Sequence, residues 1–408
     1  MPIYPLPVEF GPSANLTAFS RLRVANPAYV FDGEQTYTAN PLLFEQLTNG
    51  SGAAVAFDST NRCISMTLSS TASGGYAYIQ SYEHFQYQPG RTQLIFLTFN
   101  FNGAQTGVLK FIGYSAGATN GIELQLNGLT PRIALYSDTT VGDRFVNQAD
   151  WNDPMDGTGP SQVTIDWTKA QILVIDMQAL YVGRIRFYFD LGGNLVQFHE
   201  INNANVQAYP YIQTANLPVR AGMSCTATSS TTMIFVCCSI ISEGGELGGR
   251  GYSFTAASGS VTAGNATRTH IMSLRPRTTF NSIVNRVKFI LEELSILVTG
   301  NSPVFWELCI GQAFSVAPTY GNVNTTYSAF DVGTGGTMTG NPAVVIAAGF
   351  VPASSQVKGV GNSSLLLRYP ITLDAAGAVR DNGTLTLLAQ GIGSTSAMRA
   401  AIDWDEVH

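Results

Sequence analysis

Arg184-Ile-Arg-Phe-Tyr-Phe-Asp-Leu-Gly-Gly-Asn-Leu-Val-Gln-Phe-His199 is the most informative stretch of the chain. Ile185, Phe187, Phe189 and Leu191 recur at every second position, the spacing of a strand with one buried face. Gly192-Gly193-Asn194 then supplies residues that tolerate a reversing turn, and Leu195 to His199 alternates again with Val196 and Phe198 inward. The stretch predicts a β-hairpin.

The same grammar recurs on either side. Ile122 to Leu126 and Arg132 to Tyr136 alternate around Asn127-Gly128, although Pro131 suggests a loop longer than two residues. Gln171 to Met177 and Met233 to Val236 are continuous apolar runs, expected of central strands buried on both faces. The region 283–298 is read as two strands joined by a bulge at Glu292 and Glu293. Residues 394–404 are read as a short C-terminal helix. Many short strands with frequent turns predict an all-β chain: a jelly-roll or β-sandwich domain, then a second β-sandwich domain. Pro2, Pro5, Pro7 and Pro12 fix φ and remove donors, so residues 1–35 are read as an extended N-terminal arm. The glycine-dense run 242–251 marks the boundary between a first domain over 36–245 and a second over 246–408.

Composition narrows the function. Of 408 residues only 12% are charged, about half the usual share, while 45% are hydrophobic. A surface of Ser, Thr, Asn, Gln and Gly suits repeated protein or glycan contacts, because few charges must be desolvated. A net charge of -6 and scattered lysines (Lys110, Lys169, Lys288, Lys358) argue against nucleic acid. No apolar run is long enough for a membrane span, and the start Met1-Pro2-Ile3-Tyr4-Pro5 lacks a signal peptide's basic and apolar regions. A product made and used in a cytoplasm, or released by lysis, is the expectation.

The residue patterns predict no enzyme and no cofactor. Five cysteines show no metal or redox spacing. Adjacent Cys237 and Cys238 are expected to be buried thiols. His84, His199, His270 and His408 have no second ligand at metal spacing, and His84 and His199 read as ordinary strand residues. Neither a Gly-x-Ser-x-Gly elbow nor a phosphate-cradling loop occurs. A glycosidase would need two facing carboxylates, for which Glu83, Glu123, Asp190 and Glu200 lie on candidate strands. Asp150, Asn152, Asp153 and Asp156 offer hard oxygens on one loop, as calcium prefers, but without EF-hand spacing. A loop of Asx turns held by Trp151 is the simpler reading. Tyr76, Tyr78, Tyr82, Tyr87, Tyr209 and Tyr211 could stack on sugars or anchor an interface.

Several blocks occur in a telling order. They are Ser20-Arg-Leu-Arg-Val-Ala-Asn-Pro-Ala-Tyr-Val-Phe-Asp32, Phe85-Gln-Tyr-Gln-Pro-Gly-Arg91 and Trp151-Asn-Asp-Pro-Met-Asp-Gly-Thr-Gly-Pro160. Asp166-Trp-Thr-Lys-Ala-Gln171, Val182-Gly-Arg-Ile-Arg-Phe187, Asn216-Leu-Pro-Val-Arg220 and Ile241-Ser-Glu-Gly-Gly245 follow. Over roughly residues 15–245 the chain resembles a family of virion structural proteins of tailed bacteriophages. The resemblance implies an accessory head or tail component in the virion, partnered by copies of itself and by other virion proteins. It transfers no catalytic residue. A receptor- or glycan-binding module, with host-surface glycan as partner, is the alternative expectation.

Overall fold

The strand ladders are antiparallel throughout, so each sheet can offer one face to a core and the other to its surroundings. A computed structural model describes residues 16–24, 26–86, 88–178, 180–214, 216–244, 251–353, 358–360 (backbone) and 369–408. The chain divides into two compact units, Met1–Leu247 and Gly248–His408. Most of the glycine-rich run lies outside the described residues.

The first unit stacks an eight-stranded sheet on a seven-stranded one. The larger runs Asn194–Ile201, Ile185–Leu191, Gln171–Gln178, Thr92–Asn100, Ser229–Glu243, Cys63–Thr71 and Ala53–Asp58. Pro27–Glu34 also pairs with Ser229–Glu243, so the segment expected as an arm ends in a sheet strand. Residues 1–15, with all four prolines, lie outside the described residues. The smaller sheet runs Arg144–Asn147, Thr130–Ser137, Asn120–Asn127, Val108–Ser115, Val219–Cys225, Tyr76–Ser81 and Phe44–Asn49.

Alternation decides what lies between the sheets. Ile95, Leu97, Phe187 and Phe189 from one sheet join Ile112, Ile122, Leu124 and Ile133 from the other in one buried cluster. At about 1.5–3 kcal/mol per buried large side chain, this cluster is the main source of stability. The hairpin expected around Gly192-Gly193 forms with Leu191 opposite Asn194, leaving the two glycines as a two-residue turn. Both glycines have positive φ (66° and 87°), as a type I′ turn demands. The neighbouring hairpin corrects an expectation: its loop is only Gly128-Leu129. Pro131 is tolerated because the next ladder outward begins at Arg132, so its missing N–H costs that edge nothing.

Of the two runs expected to be buried on both faces, Leu173 to Met177 is. Met233 and Phe235 are buried, but Ile234 and Val236 are only half-buried. Cys238 is buried and Cys237 half-buried; both are free thiols.

The second unit also holds two main sheets. Gly251–Ala257, Ser396–Val407, Lys288–Val298 and Lys358–Val360 form one, with Val261–Ala263 also on Ser396–Val407. Thr319–Asn322, Phe330–Thr334, Thr269–Pro276, Leu385–Gly391, Val304–Ile310 and Val344–Val351 form the other. The bulge expected at the glutamates is present between Leu291 and Glu293, but inside one eleven-residue strand. The expected C-terminal helix is a strand, Ser396–Val407. Met398, Ala400, Ile402 and Trp404 are buried at every second position, and that burial outweighs the helix preference of the alanines.

Candidate functional site

Ile122, Leu124 and Leu126 point into the core of the first unit, so Gly121, Glu123 and Gln125 occupy the outer face of the seven-stranded sheet. Cross-strand partners share a face, and the registers therefore assemble a row across the whole sheet. It reads Phe145, Ala134, Glu123, Gly113, Arg220, Gln80, Glu45. A second row, two residues along, reads Asn147, Arg132, Gln125, Phe111, Gly222, Tyr78, Leu47. Seven strands thus bring polar and aromatic groups from residues 45 to 220 onto one surface.

Two clusters lie on it, one hydrogen-bonded and one stacked. In the first, Gln125 Nε2 donates to Glu123 Oε2 (2.7 Å) and to the Tyr136 hydroxyl (2.8 Å). Arg132 Nε donates to Gln125 Oε1 (2.7 Å), and its guanidinium lies 4.3 Å over the Phe145 ring. Burial, and then the neighbouring Glu123, push the Tyr136 phenol up. Tyr136 therefore stays protonated, and with Gln125 occupying its oxygen its own O–H remains to be given away.

In the second cluster Arg220 lies 4.1 Å over Tyr78 and 4.8 Å over Phe111. Its Nε is buried without a partner. Gly113 and Gly222 keep this surface low, since a Cβ at Gly222 would fall 2.1 Å from the Tyr78 Cβ. At Gly113 it would fall 2.8 Å from the Glu123 Cα. Glu123, Gln125 and Phe111 are themselves buried, so the side chains this face presents are the half-buried Arg132, Tyr136, Arg220 and Tyr78.

The four acids considered for glycoside hydrolysis do not converge. Glu123 is on this face, Asp190 and Glu200 belong to strands of the other sheet, and Glu83 follows the strand Tyr76–Ser81. The position two residues along from Glu123, about 7 Å away and suited to a second carboxylate, holds Gln125. The row's other acid, Glu45, is four strand spacings from Glu123, roughly 19 Å.

The acidic loop is structural in its hydrogen bonding. Asp153 accepts from the amides of Met155 (3.2 Å) and Ser161 (2.8 Å). Asp156 accepts from the amide (2.9 Å) and hydroxyl (2.6 Å) of Thr158, which lower its carboxyl below the usual range. Asn152 Oδ1 accepts from the Glu200 amide, while the Asn152 amide donates to His199 Nδ1. Asp150 is exposed, and Trp151 is buried against Phe198. Among the described residues no three His, Cys, Asp or Glu side chains are grouped to hold a metal ion.

Tyr76 and Tyr78 are on the outer face, Tyr209 is exposed, and Tyr211 is fully buried. Tyr87 lies outside the described residues. Nothing local marks Arg132, Arg220, Gln125 and Tyr136, because only strand register shows that they share a face.

A Ser–His pair also emerges in the second unit. A bulge between His270 and Met272 turns His270 and Ser273 to one side, with Nε2 2.7 Å from the Ser273 hydroxyl. Burial lowers the imidazole's pKa, and Nδ1 meets the Gly335 carbonyl. Ser273 is fully buried and bonded to Thr386, with no path for a substrate to its oxygen. The pair is a packing element.

No family model and no curated protein matches the sequence. Solved structures show a likeness over about half of this chain. Endo-1,3-beta-glucanase from Streptomyces sioyaensis is 12% identical, with a TM-score of 0.37 over 53% of this chain and 96% of that one. Bacillus licheniformis beta-glucanase is 13% identical (TM-score 0.34; 53% and 98%). Arcelin-5, a lectin-like defense protein from Phaseolus vulgaris, is 12% identical (TM-score 0.33; 53% and 99%).

Proposed function

We propose that this protein is a glycan-binding component of a tailed-phage particle, with the glycan lying along the outer face of the seven-stranded sheet. One observation carries the binding reading: the strand registers gather Arg132, Tyr136, Arg220 and Tyr78 on one low face, over the buried Glu123 and Gln125. Sugars present hydroxyls in both hydrogen-bonding senses and apolar ring faces. The half-buried side chains of this face offer donors (Arg132, Arg220, Tyr136) and rings (Tyr76, Tyr78) to match, with Glu123 buried beneath them. Gln125 in place of a second carboxylate supports holding a sugar over cleaving one. Membership in a particle is supported by the ordered sequence blocks between Ser20 and Gly245.

Titration of the full chain against a panel of cell-surface polysaccharides tests the binding. Saturable binding should weaken roughly tenfold or more in Arg220→Ala, the loss expected for a charge-assisted hydrogen bond. No saturable binding across the panel by folded protein would overturn the reading. A second reading, an accessory component acting by subunit packing, is favoured by the low charge of the chain, 12%. Fractionation of purified particles tests it: absence of the protein from them removes both the packing role and the particle role.

A further inference from the structure

The second unit carries an open pocket of about 350 Å³ at one end of its six-stranded sheet, where Arg275, Arg277, Thr278, Thr279 and Asp331 meet. Its walls follow from register. Arg275 and Asp331 are direct cross-strand partners on Thr269–Pro276 and Phe330–Thr334, so both side chains leave the same face. Tyr320 pairs with Gly333, the next outward position on that face. With no side chain at Gly333, the Tyr320 ring settles over the gap and passes 3.6 Å beneath the Arg275 guanidinium. Arg277 continues past the end of the strand, with its Nη1 donating to the Ser328 carbonyl at 3.0 Å.

The ion pair at the centre of this pocket is incomplete. Arg275 Nη2 and Asp331 Oδ2 stand 4.0 Å apart, too far for a hydrogen bond. Arg275 Nε and Asp331 Oδ1 are both buried without a partner. Both side chains are still partly exposed (34% and 15%), so a charged pair held apart at the pocket leaves outward-facing atoms that a third component can bridge. The side chains fix its chemistry. Two guanidiniums favour a carboxylate, which Arg can grip in bidentate fashion. Asp331 beside them repels a bare dianion but accepts from a hydroxyl, and the two threonine hydroxyls add neutral partners. A ligand with both a carboxylate and neighbouring hydroxyls meets all of these demands.

We propose that this pocket binds an acidic sugar residue of the uronate class, with its carboxylate on Arg275 and Arg277 and a ring hydroxyl on Asp331. The site lies in the other unit from the surface proposed above and does not depend on that surface. Calorimetric titration of the full chain with digalacturonate, neutral digalactose and inorganic phosphate tests it. Digalacturonate should bind saturably, digalactose at least tenfold more weakly, and phosphate at least tenfold more weakly. Arg277→Ala, at the pocket's rim, should weaken digalacturonate roughly tenfold or more. Arg275→Lys keeps the charge but loses the fork, and should weaken it by a similar factor while its thermal melt stays cooperative. Equal binding of the neutral disaccharide, equal binding of phosphate, unchanged uronate affinity in either variant, or no binding of uronate by the folded chain would each overturn the proposal.

Discussion

Lys110 is fully enclosed between the sheets of the first unit, on a strand whose alternation calls for an apolar side chain. Its ammonium donates to three backbone carbonyls, those of Phe101 (2.6 Å), Gly103 (3.0 Å) and Thr232 (3.0 Å). It thereby ties the loop after Thr92–Asn100 to the strand Ser229–Glu243. Replacing it by Met leaves three carbonyls without that donor, and unfolding in urea should show a loss of about 3 kcal/mol. Burial lowers its pKa from 10.5 to about 8. Between those values the unfolded chain binds more protons than the folded one, so this group's contribution to stability rises with pH. Wild type should therefore gain on Lys110→Met between pH 8 and 10.5; a constant difference between them would refute the assignment. None of this is visible in the sequence, where Lys110 reads as one of four scattered lysines. The carbonyls that receive it come from positions up to 122 residues away.

At the scale of elements, the outer face of the eight-stranded sheet shows how a segment can be docked by charge. Asp176 and Arg186 are cross-strand partners and both are buried. Arg23 reaches Asp176 and Glu243, at 2.5 Å each, while Arg186 also donates to the Leu16 carbonyl and Arg184 to that of Ala18. Arg186→Met should cost about 3–5 kcal/mol, because it leaves Asp176 buried with one partner fewer. Arg23→Met should cost less, its side chain being 17% exposed; equal losses in the two denaturation curves would contradict this. Strand alternation was legible here, and so was the hairpin at Gly192-Gly193. The docking was not, since Asp176 lay in a run read simply as buried. The C-terminal strand teaches the converse: Met398 to Trp404 alternates plainly, but alanine's helix preference obscured it until the neighbouring strands supplied partners.

At the scale of the molecule, the chain forms two compact units, each with buried apolar side chains from both of its main sheets. Residues 248–408 expressed alone should give a strand-rich spectrum and a cooperative melt. A featureless melt would mean that this unit does not fold by itself. The candidate surface belongs to the first unit and depends on seven strands pairing in register. A one-residue slip of Asn120–Asn127 would turn Glu123 and Gln125 into the core and the leucines onto the outer face.

Local pattern was enough for the all-β class, for the turn at Gly192-Gly193 and for the apolar side of strands such as Ile185–Leu191. These follow from local rules: period two, and glycine where φ must be positive. That Glu123, Arg220 and Tyr78 share a face, that Arg275 confronts Asp331, and that Lys110 is internal came from the folded chain alone. Each depends on which strands pair and in what register, a choice made by the summed burial of distant segments and carried by no single stretch of chain.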